Sequence, residues 1–377
     1  MKIVLSGGGT GGHIYPAITI ANNIKALRPD AEIVFVGTKE GLESQIIPRY
    51  GYQLQYITVA GFQRKFGFST ITSAIKLLFG MKEAYRLIKK LKPDLVIGTG
   101  GYVCGPILIW AAFMGIPTCI QEQNAMPGVT NKILAHFVKR IFLGYKEGEK
   151  YFSGKAPKIF TGNPVRKEII VDKKVAALKE FNLSPNKKTL LVFGGSRGAR
   201  SINLAMAYVE KKFAGRDDIQ VLHATGEEAY EKYIAQLDKK ILEADNIKIL
   251  PYIHEMPLAL AAADMAVARA GAIGLAELMV KGIPSILIPY PYATANHQEF
   301  NARALEAAGA AVVILDKELT GDKLQEEIEK MLVQDDVLID MKAAAMKASK
   351  PQAAADIAAQ ALKLVKEDRG TVSAGQY

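Results

Sequence analysis

The sequence predicts an α/β protein built from two doubly wound domains, each with a parallel sheet, that face each other across a cleft. Three observations predict this fold class. Short apolar runs of strand length alternate with helix-length segments along nearly the whole chain. The pattern starts again near Thr189, where "TLLVFGGSRGAR" repeats the strand, glycine turn and helix start of the N-terminus. At 377 residues, the chain is also too long for one hydrophobic core of ordinary size.

The predicted strands are continuous apolar runs bounded by glycine, proline or polar residues, a pattern typical of parallel strands that are buried on both faces. In chain order they are KIVLS, AEIVFVG, DLVIGTG and PTCIQE, then TLLVFGG, IQVLHAT, NIKILPY, MAVARAG and PSILIPY. TGNPVRKEI and the polar stretch up to Lys188 are interpreted as a linker region. We therefore predict an N-terminal domain over 1–163 and a C-terminal domain over 164–346. A C-terminal helix, about 347–370, is expected to pack back on the first domain.

The uncharged run from Leu95 to Gln121 is long enough to raise the question of a transmembrane helix. Glycine and proline residues divide it into short pieces, so we predict a strand, a glycine loop, a helix and a second strand instead. The start of the chain lacks the basic region and cleavage site of a secretory signal. Two cysteines, Cys104 and Cys119, give no disulfide framework. These features predict a protein of the cytoplasm.

Glycine-rich loops follow several predicted strands and lead into predicted helices. They span residues 7–12, 98–106 and 194–199, and a fourth turn of small residues spans 268–278. A loop without side chains lets main-chain N–H groups approach an anion, and the following helix end adds a partial positive charge. The loops therefore favour a phosphate-bearing ligand. The alternative is that the glycines make tight strand-to-helix turns and nothing more.

The first loop matches the G-x-G-x-x-G pattern of dinucleotide-binding proteins through Gly7, Gly9 and Gly12. Such a site needs an acid at the end of the second strand to bind the ribose, and "VFVGTKEG" has none at that place. The loop "GGSRGA" does not fit the pattern either. The sequence contains no D-x-D, and its five histidines lack metal-ligand spacing. We therefore predict no bound metal and no cofactor.

Seven motifs together resemble one protein family in sequence and in order. They are GGGTGGHIYPA, GTGGYVCGP, EQNAMPG, TGNPVR, GGSRGA, RAGAIGLAE and IPYPYATANHQEFNA, between Lys2 and about Leu315. They resemble the MurG family, the bacterial N-acetylglucosaminyltransferases of glycosyltransferase family 28. The resemblance implies a GT-B fold made of two Rossmann-like domains, with the donor in the cleft and inversion at the anomeric carbon.

The resemblance also implies the reaction and the partners. UDP-N-acetylglucosamine would donate its sugar to the C4 hydroxyl of undecaprenyl-pyrophosphoryl-MurNAc-pentapeptide (lipid I), giving lipid II for peptidoglycan. By motif, the donor site would contain Thr10, Gly11, Gly12, Asn124, Arg166, Ser196, Ile253, Ala270, Gly271, Ala272, Glu277 and Gln298. Glu277 would bind the ribose hydroxyls, the backbone of Ile253 would lie beside uracil, and Gln298 would contact the sugar. A glutamine can both donate and accept hydrogen bonds, as can Asn124.

His13 closes the first glycine loop, where the resemblance places it with Tyr102 and Asn124 on the acceptor. A helix N-terminus disfavours the imidazolium form, so we expect a neutral ring near pH 7. A neutral imidazole could accept the proton of the acceptor hydroxyl, which makes His13 the candidate general base. The alternative is that His13 caps the loop or hydrogen-bonds the phosphates of the acceptor.

The chain departs from the family pattern at three positions. Gly274 stands where the family usually has a threonine, so one side-chain contact near the diphosphate is expected to be missing. Arg197 replaces the usual glutamine of the second glycine loop, and Gln121 stands where a histidine often precedes "EQNA". The resemblance assigns none of these three residues to the chemical step.

Residues 64–92 carry eight basic side chains against one acid, interleaved with aromatic and aliphatic residues, in a chain of net charge +10. Ile75, Leu78 and Phe79 share one face of a predicted helix with lysines beside it, which suits an anionic membrane surface. We therefore predict a peripheral protein on the cytoplasmic face of the bacterial cell membrane, without a nucleic-acid partner. The alternative is that this apolar face packs on the core of the domain.

Other functions remain open from the residues alone. A nicotinamide-dependent oxidoreductase would use the first glycine loop, and a non-catalytic membrane adaptor would use the basic stretch. A UDP-sugar epimerase or a glycolipid synthase would share the fold and the donor site but not the acceptor.

Overall fold

The computed structural model describes residues 1–59, 68–195 and 197–374, with side chains omitted at 68–76, 335 and 369–374. The chain divides into two compact units. The first comprises residues 1–165 together with the C-terminal residues from Lys350, and the second comprises Arg166–Ser349. Each unit is an α/β structure around its own parallel sheet.

The first unit contains a sheet of seven strands in the order β3-β2-β1-β4-β5-β6-β7, and every described strand pair is parallel. The strands are β1 (Lys2–Gly7), β2 (Glu32–Gly37), β3 (Gln53–Tyr56), β4 (Leu95–Gly100), β5 (Thr118–Glu122), β6 (Arg140–Leu143) and β7 (Lys158–Phe160). The helices are α1 (Gly11–Leu27), α2 (Glu43–Arg49), α3 (Phe68–Leu91), α4 (Cys104–Phe113) and α5 (Val129–Leu134), with a 3-10 turn at Lys146–Tyr151.

The second unit contains a sheet of six described strands in the order β10-β9-β8-β11-β12-β13, again parallel. Its strands are β8 (Lys188–Phe193), β9 (Ile219–Ala224), β10 (Ile247–Leu250), β11 (Met265–Ala268), β12 (Ser285–Leu287) and β13 (Ala311–Val313). Its helices are α6 (Lys167–Ile170), α7 (Lys174–Glu180), α8 (Arg200–Phe213), α9 (Glu227–Ile234), α10 (Lys239–Leu242), α11 (Met256–Ala262), α12 (Ala272–Lys281), α13 (His297–Ala307), α14 (Gly321–Val333) and α15 (Asp335–Ala348), with 3-10 turns at Thr294–Asn296 and Asp316–Glu318.

The last helix, α16 (Ala353–Ala374), belongs to the first unit and packs on α1. Ile357 and Ala361 of α16 share a buried cluster with Ile14 and Ile18 of α1 and with the strand residue Leu5. A second cluster, built from α3, α4 and β-strand side chains, covers the opposite face of the same sheet. The sheet is therefore buried on both faces, which explains the continuous apolar runs of its strands.

All nine predicted strands are present, and the structure adds β3, β6, β7 and β13. Three of these four are edge strands of three or four residues, and an edge strand needs no continuous apolar run because one side of it faces no neighbour. The interpretation of the stretch up to Lys188 as a linker was wrong. It contains α6 and α7, and Ala177 of α7 packs on Ala261 and Ala262 of α11.

The uncharged run after Leu95 forms β4, α4 and β5, as predicted from its glycines and prolines. Within the described residues, no helix has the length and hydrophobicity needed to cross a bilayer.

Each sheet has one point at which the strand order reverses direction, between β1 and β4 in the first unit and between β8 and β11 in the second. In open α/β sheets, ligands bind at the carboxyl ends of the strands beside such a point. The glycine loops predicted from the sequence follow these four strands. The fold therefore places two glycine turns at the switch point of each unit.

Candidate functional site

The two glycine turns of the first unit touch at the switch point of its sheet. Gly100, the last residue of β4, and Gly101, which follows it, have φ values of +106° and +87°, a region that side chains strongly disfavour. A Cβ atom on Gly101 would lie 2.4 Å from the carbonyl oxygen of Gly8. Glycine is thus required here by close approach of two backbones. The first glycine loop leads into the N-terminus of α1. The first N–H groups of a helix have no partners within the helix.

His13 lies in the first turn of α1 and is half-buried. Its Nδ1 atom is 3.0 Å from the carbonyl oxygen of Gly8, with the hydroxyl of Thr10 at 3.4 Å. Because a carbonyl oxygen can accept but never donate, Nδ1 carries the proton. In the neutral ring, Nε2 is therefore the nitrogen with a lone pair.

The His13 ring lies close to Gly100. A Cβ atom at that position would be 2.8 Å from Cδ2 and 3.0 Å from Nε2 of His13. The hydroxyl of Thr99 also donates to the backbone oxygen of His13 at 2.8 Å. The β4 turn therefore fixes both the ring and the main chain of His13.

Asn124 lies in the loop between β5 and α5, which is organised by a buried acid. Oε1 of Glu122 accepts from the backbone and side-chain nitrogens of Asn124 at 3.0 and 3.1 Å. Oε2 accepts from Gly128 N and from the side chain of Asn131 at 3.1 and 2.9 Å. One N–H of the Asn124 side-chain amide is thus engaged within its own loop. The expectation that Asn124 offers both a donor and an acceptor to a ligand stays a prediction.

The other predicted residues of the first unit lie at the surface. Thr10 and Gly12 are exposed at the start of α1, and Gly11 is half-buried. Tyr102 follows the glycine pair of the β4 turn with 55% of its surface exposed. Their predicted contacts with donor and acceptor stay predictions.

In the second unit, the loop after β8 packs against the end of β9. Gly198 has a φ of +71°, and a Cβ atom there would lie 1.9 Å from the backbone oxygen of Thr225. A Cβ atom on Gly226 would meet the backbone of Arg197 and Gly198 at 2.6 Å. The predicted donor residue Ser196 lies outside the described residues.

The turn between β11 and α12 contains the predicted donor residues Ala270, Gly271 and Ala272. Gly271 caps α12, and its Cα faces open space, with no atom within 4 Å of a Cβ placed there. Gln298 holds this turn, since its Oε1 accepts from Ala270 N at 3.2 Å and from Tyr290 N at 2.9 Å. Two backbone donors fix the orientation of the amide. The expectation that Gln298 can donate and accept is therefore corrected: its NH2 group remains as a donor, and its oxygen is engaged.

Arg269, which the sequence motifs did not predict, also holds the turn between β11 and α12. The guanidinium donates to the backbone oxygen of Ile288 at 3.1 Å, to the Ser201 hydroxyl at 2.8 Å and to the Asp316 carboxylate at 2.5 Å. It also stacks over the ring of Tyr290. An arginine directly before a glycine turn, in "ARAGA", was a visible signal, because such a residue can join several loops at once.

Arg166 and Glu277, both predicted donor residues, form an ion pair. Glu277 lies on α12 and is 7% exposed, while Arg166 precedes α6. The Nε and terminal guanidinium nitrogens of Arg166 reach Oε1 of Glu277 at 3.3 and 3.0 Å. Burial raises the pKa of the Glu277 carboxyl more than Arg166 lowers it, so the pKa lies above its ordinary value.

Two further positions of the second unit bear on the predicted donor site. Ile253 follows β10 and is 3% exposed, and the predicted contact of its backbone with uracil stays a prediction. Gly274 lies in the first turn of α12, and a Cβ atom there would meet Phe193 at 3.8 Å, an ordinary contact. The departure from threonine at this position is therefore not forced by crowding at Cβ.

The predicted membrane patch lies on α3. Leu78 and Phe79 are 71% and 59% exposed, and Lys82 and Arg86 beside them are exposed as well. The opposite face of the helix buries Ala84 and Ile88 in the core. The side chain of Ile75 lies outside the described residues. The alternative that Leu78 and Phe79 pack on the core is wrong.

Glu43, the first residue of α2, is a second residue that supports the site and that the sequence motifs did not predict. Its carboxylate is buried and accepts the backbone N–H of Gly9 in the first glycine loop. The signal was a pair of glycines shortly before it in the chain, Gly37 and Gly41, whose missing side chains leave room for a carboxylate. Across the described residues, His, Cys, Asp and Glu side chains form no group of three or more that could hold a metal ion.

Comparison with known protein families identifies both units. Residues 3–143 match the glycosyltransferase family 28 N-terminal domain, and residues 189–360 match the glycosyltransferase family 28 C-terminal domain. A solved structure of MurG from Acinetobacter baumannii superimposes with a TM-score of 0.75 at 26% identity, covering 96% of this chain and 99% of that one. The predicted GT-B fold class is confirmed by these matches and by the two parallel sheets.

The sequence is also similar to curated proteins over nearly its whole length. A protein of Thermoanaerobacter sp. (strain X514) is 48% identical over 95% of this chain and 98% of its own. One of Clostridioides difficile (strain 630) is 46% identical over 94% of this chain and 86% of its own. Both are named UDP-N-acetylglucosamine--N-acetylmuramyl-(pentapeptide) pyrophosphoryl-undecaprenol N-acetylglucosamine transferase.

Proposed function

The chain belongs to glycosyltransferase family 28, and from this premise we propose that it transfers N-acetylglucosamine from UDP-N-acetylglucosamine to lipid I, forming lipid II. A relative named for this transfer is 48% identical over 95% of the chain, and this match is the observation that carries the proposal. The acceptor atom is the C4 hydroxyl of the muramyl sugar. The anomeric carbon inverts, so the new linkage is β.

The second unit supplies the donor-binding groups. Glu277 is positioned by Arg166, which uses Oε1 and leaves Oε2 for a ribose hydroxyl. Gln298 presents its NH2 group to the sugar because its oxygen is bound to Ala270 and Tyr290. The uracil lies along the backbone of Ile253. The N-terminus of α12, capped by Gly271, turns its partial positive charge toward the diphosphate.

The first unit supplies the acceptor site and the base. Nε2 of His13 takes the proton of the C4 hydroxyl as the oxygen attacks the anomeric carbon. The bond between that carbon and the diphosphate oxygen breaks at the same time, and UDP leaves with the electron pair. Gly8 supports this step because its carbonyl keeps the proton of the neutral ring on Nδ1. Tyr102 and Asn124 lie on the loops that follow β4 and β5, and they contact the acceptor. Thr10, Gly11 and Gly12 line the donor phosphates.

The acceptor is a lipid held in the membrane, and α3 has an exposed surface that can bind to this membrane. Leu78 and Phe79 are exposed next to Lys82 and Arg86, an arrangement that favours an anionic lipid surface. The protein is then peripheral on the cytoplasmic face of the cell membrane, where UDP-N-acetylglucosamine and the head group of lipid I are both accessible.

The direct test is a transfer assay with purified protein, radiolabelled UDP-N-acetylglucosamine and a short-chain lipid I analogue. The expected product contains one β-linked N-acetylglucosamine on the C4 oxygen, which NMR identifies. The control without acceptor should return unchanged donor. Conversion of the donor to its C2 epimer in that control, or transfer to a diacylglycerol instead of lipid I, would contradict the proposal.

A further inference from the structure

Glu43 lies beneath the first glycine loop in a space made by three glycines. Its side chain is 1% exposed at the start of α2. A Cβ atom on Gly8, Gly37 or Gly41 would come within 2.5 Å of the side chain of Glu43. The backbone on three sides is therefore shaped to admit one carboxylate.

The carboxylate is hydrogen-bonded at both oxygens. Oε1 accepts from the backbone N–H of Thr38 at 2.9 Å and from its hydroxyl at 2.8 Å. Oε2 accepts from the backbone N–H of Gly9 at 2.9 Å. Three donors thus compensate for the burial of this polar group.

The Gly8–Gly9 peptide group links Glu43 to His13. The N–H of this peptide belongs to Gly9 and donates to Glu43, while its carbonyl belongs to Gly8 and accepts from Nδ1 of His13 at 3.0 Å. One rigid amide plane thus has the carboxylate at one end and the imidazole at the other. Resting on the proposed role of His13 as general base, we propose that Glu43 is a positioning residue that acts on His13 through this peptide.

Glu43 controls which way the peptide faces. Gly9 has a φ of +83° and no atom within 4 Å of a Cβ placed on it, so the backbone here has room and freedom to rotate. If the Gly8–Gly9 peptide turned over, its N–H would face Nδ1 of His13 and favour the opposite tautomer. The hydrogen bond to Glu43 holds the carbonyl toward His13, which keeps Nε2 unprotonated and able to accept a proton.

Glu43 also favours the charged ring that forms during transfer. Hydrogen bonds in a chain polarise one another, so the carboxylate makes the Gly8 carbonyl a better acceptor for the imidazolium Nδ1–H. The proton of the acceptor hydroxyl stays on Nε2, and Glu43 takes up none. The arrangement is that of a carboxylate and a base with one peptide group inserted between them.

The other titratable groups around this chain of hydrogen bonds do not compete with it. From α4, the thiol of Cys104 donates to the Gly100 oxygen at 2.9 Å, and burial raises its pKa to about 11, so it stays neutral in ordinary buffers. Lys39 and Glu40, in the loop before α2, are exposed to solvent. Tyr15 lies two residues after His13 on α1.

The decisive variant is Glu43→Gln, with Glu40→Gln as its matched control. An amide has one acceptor oxygen and cannot serve the backbone N–H groups of Gly9 and Thr38 together. Glu43→Gln should lower kcat about 10- to 100-fold, as removal of a carboxylate that orients an imidazole typically does. Its KM for the donor should change less than kcat. Glu40→Gln makes the same chemical change at an exposed position of the loop before α2 and should leave kcat within about twofold of wild type, because surface substitutions of this kind cost little.

The pH dependence distinguishes positioning from a general loss of structure. Loss of a nearby negative charge disfavours the imidazolium form, so the acidic limb of the kcat profile should move to lower pH in Glu43→Gln. The same limb should be unchanged in Glu40→Gln. A Glu43→Gln variant with the wild-type profile and a wild-type kcat would overturn the proposal.

NMR tests the link without substrate and without any variant. In ¹⁵N-histidine-labelled wild-type protein, the neutral His13 ring should show the Nδ1–H tautomer. The Gly9 amide proton should be shifted downfield and protected from exchange. An Nε2–H tautomer or a rapidly exchanging Gly9 amide would overturn the proposal. Failure of the proposed function would show instead as absence of transfer by wild-type protein.

Discussion

Arg166 and Glu277 meet through a single carboxylate oxygen: two guanidinium nitrogens converge on Oε1 at 3.3 and 3.0 Å. The contact gives Glu277 a fixed orientation although burial opposes its charge. It also means that the two residues are one unit. A ligand hydroxyl that binds Glu277 would do so through Oε2, and Arg166 would keep the carboxylate in place while it does.

The first prediction concerns Glu277→Ala. A hydrogen bond to a charged group contributes about 1.5–3 kcal/mol, so the substitution should weaken UDP binding roughly 10- to 100-fold. Isothermal titration with UDP measures this directly. NAD serves as the negative control and should not bind either protein. An unchanged affinity for UDP in Glu277→Ala would show that Glu277 does not bind the ribose.

The second prediction is a pH dependence of donor binding. Because burial raises the pKa of Glu277 above its ordinary value, the carboxyl gains a proton earlier than usual as the pH falls. The protonated group accepts hydrogen bonds more weakly, so affinity for UDP-N-acetylglucosamine should be full at neutral pH and decline on acidification through this raised pKa. Titrations from about pH 8 to 5 should show the decline in wild type and its absence in Glu277→Gln. If the affinity for UDP-N-acetylglucosamine depended on pH in the same way in both proteins, the assignment of Glu277 to the donor site would be contradicted.

The third prediction concerns the contact of Gly100 with His13. In Gly100→Ala, the new methyl would lie 2.8 Å from the imidazole and must displace it. A misplaced catalytic group costs on the order of a hundredfold in kcat. The control is Gly115→Ala, which has a φ of +76° and no atom within 4 Å of the new methyl. Both variants should lose about 1 kcal/mol of stability from backbone strain, but only Gly100→Ala should lose turnover. Equal kcat values would show that the ring does not need this position.

The fourth prediction concerns the surface of α3. Replacing Leu78 and Phe79 together by serine should reduce sedimentation with anionic vesicles about tenfold or more, since each apolar side chain contributes roughly 1.5–3 kcal/mol when buried in lipid. Their exposure means that stability and turnover of a short-chain soluble acceptor should be unchanged. Val175→Ser, at an 85% exposed position of the second unit, is the matched control. Undiminished binding by the double variant would place the lipid contact elsewhere.

The sequence predicts the sheets and the glycine turns well because both depend on local patterns. A buried parallel strand must be apolar throughout, and a turn with positive φ, such as that at Gly100, requires glycine whatever surrounds it. The edge strands β3, β7 and β13 escape prediction because one open side removes the need for an apolar run.

The supporting residues of the site are harder to read from sequence. Glu43 acts on the backbone N–H of Gly9, 34 positions away, and a backbone partner leaves no mark on the amino-acid pattern. Arg269 likewise bonds to the carbonyl oxygen of Ile288. The direction in which Gln298 presents its amide depends on two backbone donors that the fold brings together. Which residue types lie near a ligand could be predicted, but not which of their atoms are already engaged.

The last prediction tests the central claim, that this chain transfers N-acetylglucosamine with His13 as the base. The measurement is kcat against pH for transfer to a short-chain lipid I analogue, in wild type and in His13→Ala, with UDP affinity measured alongside. His13→Ala should lose about a hundred- to ten-thousandfold in kcat and the acidic limb of the profile, with UDP affinity nearly unchanged. A variant that keeps most of its kcat, or keeps the acidic limb, would contradict the claim and leave His13 as a binding residue.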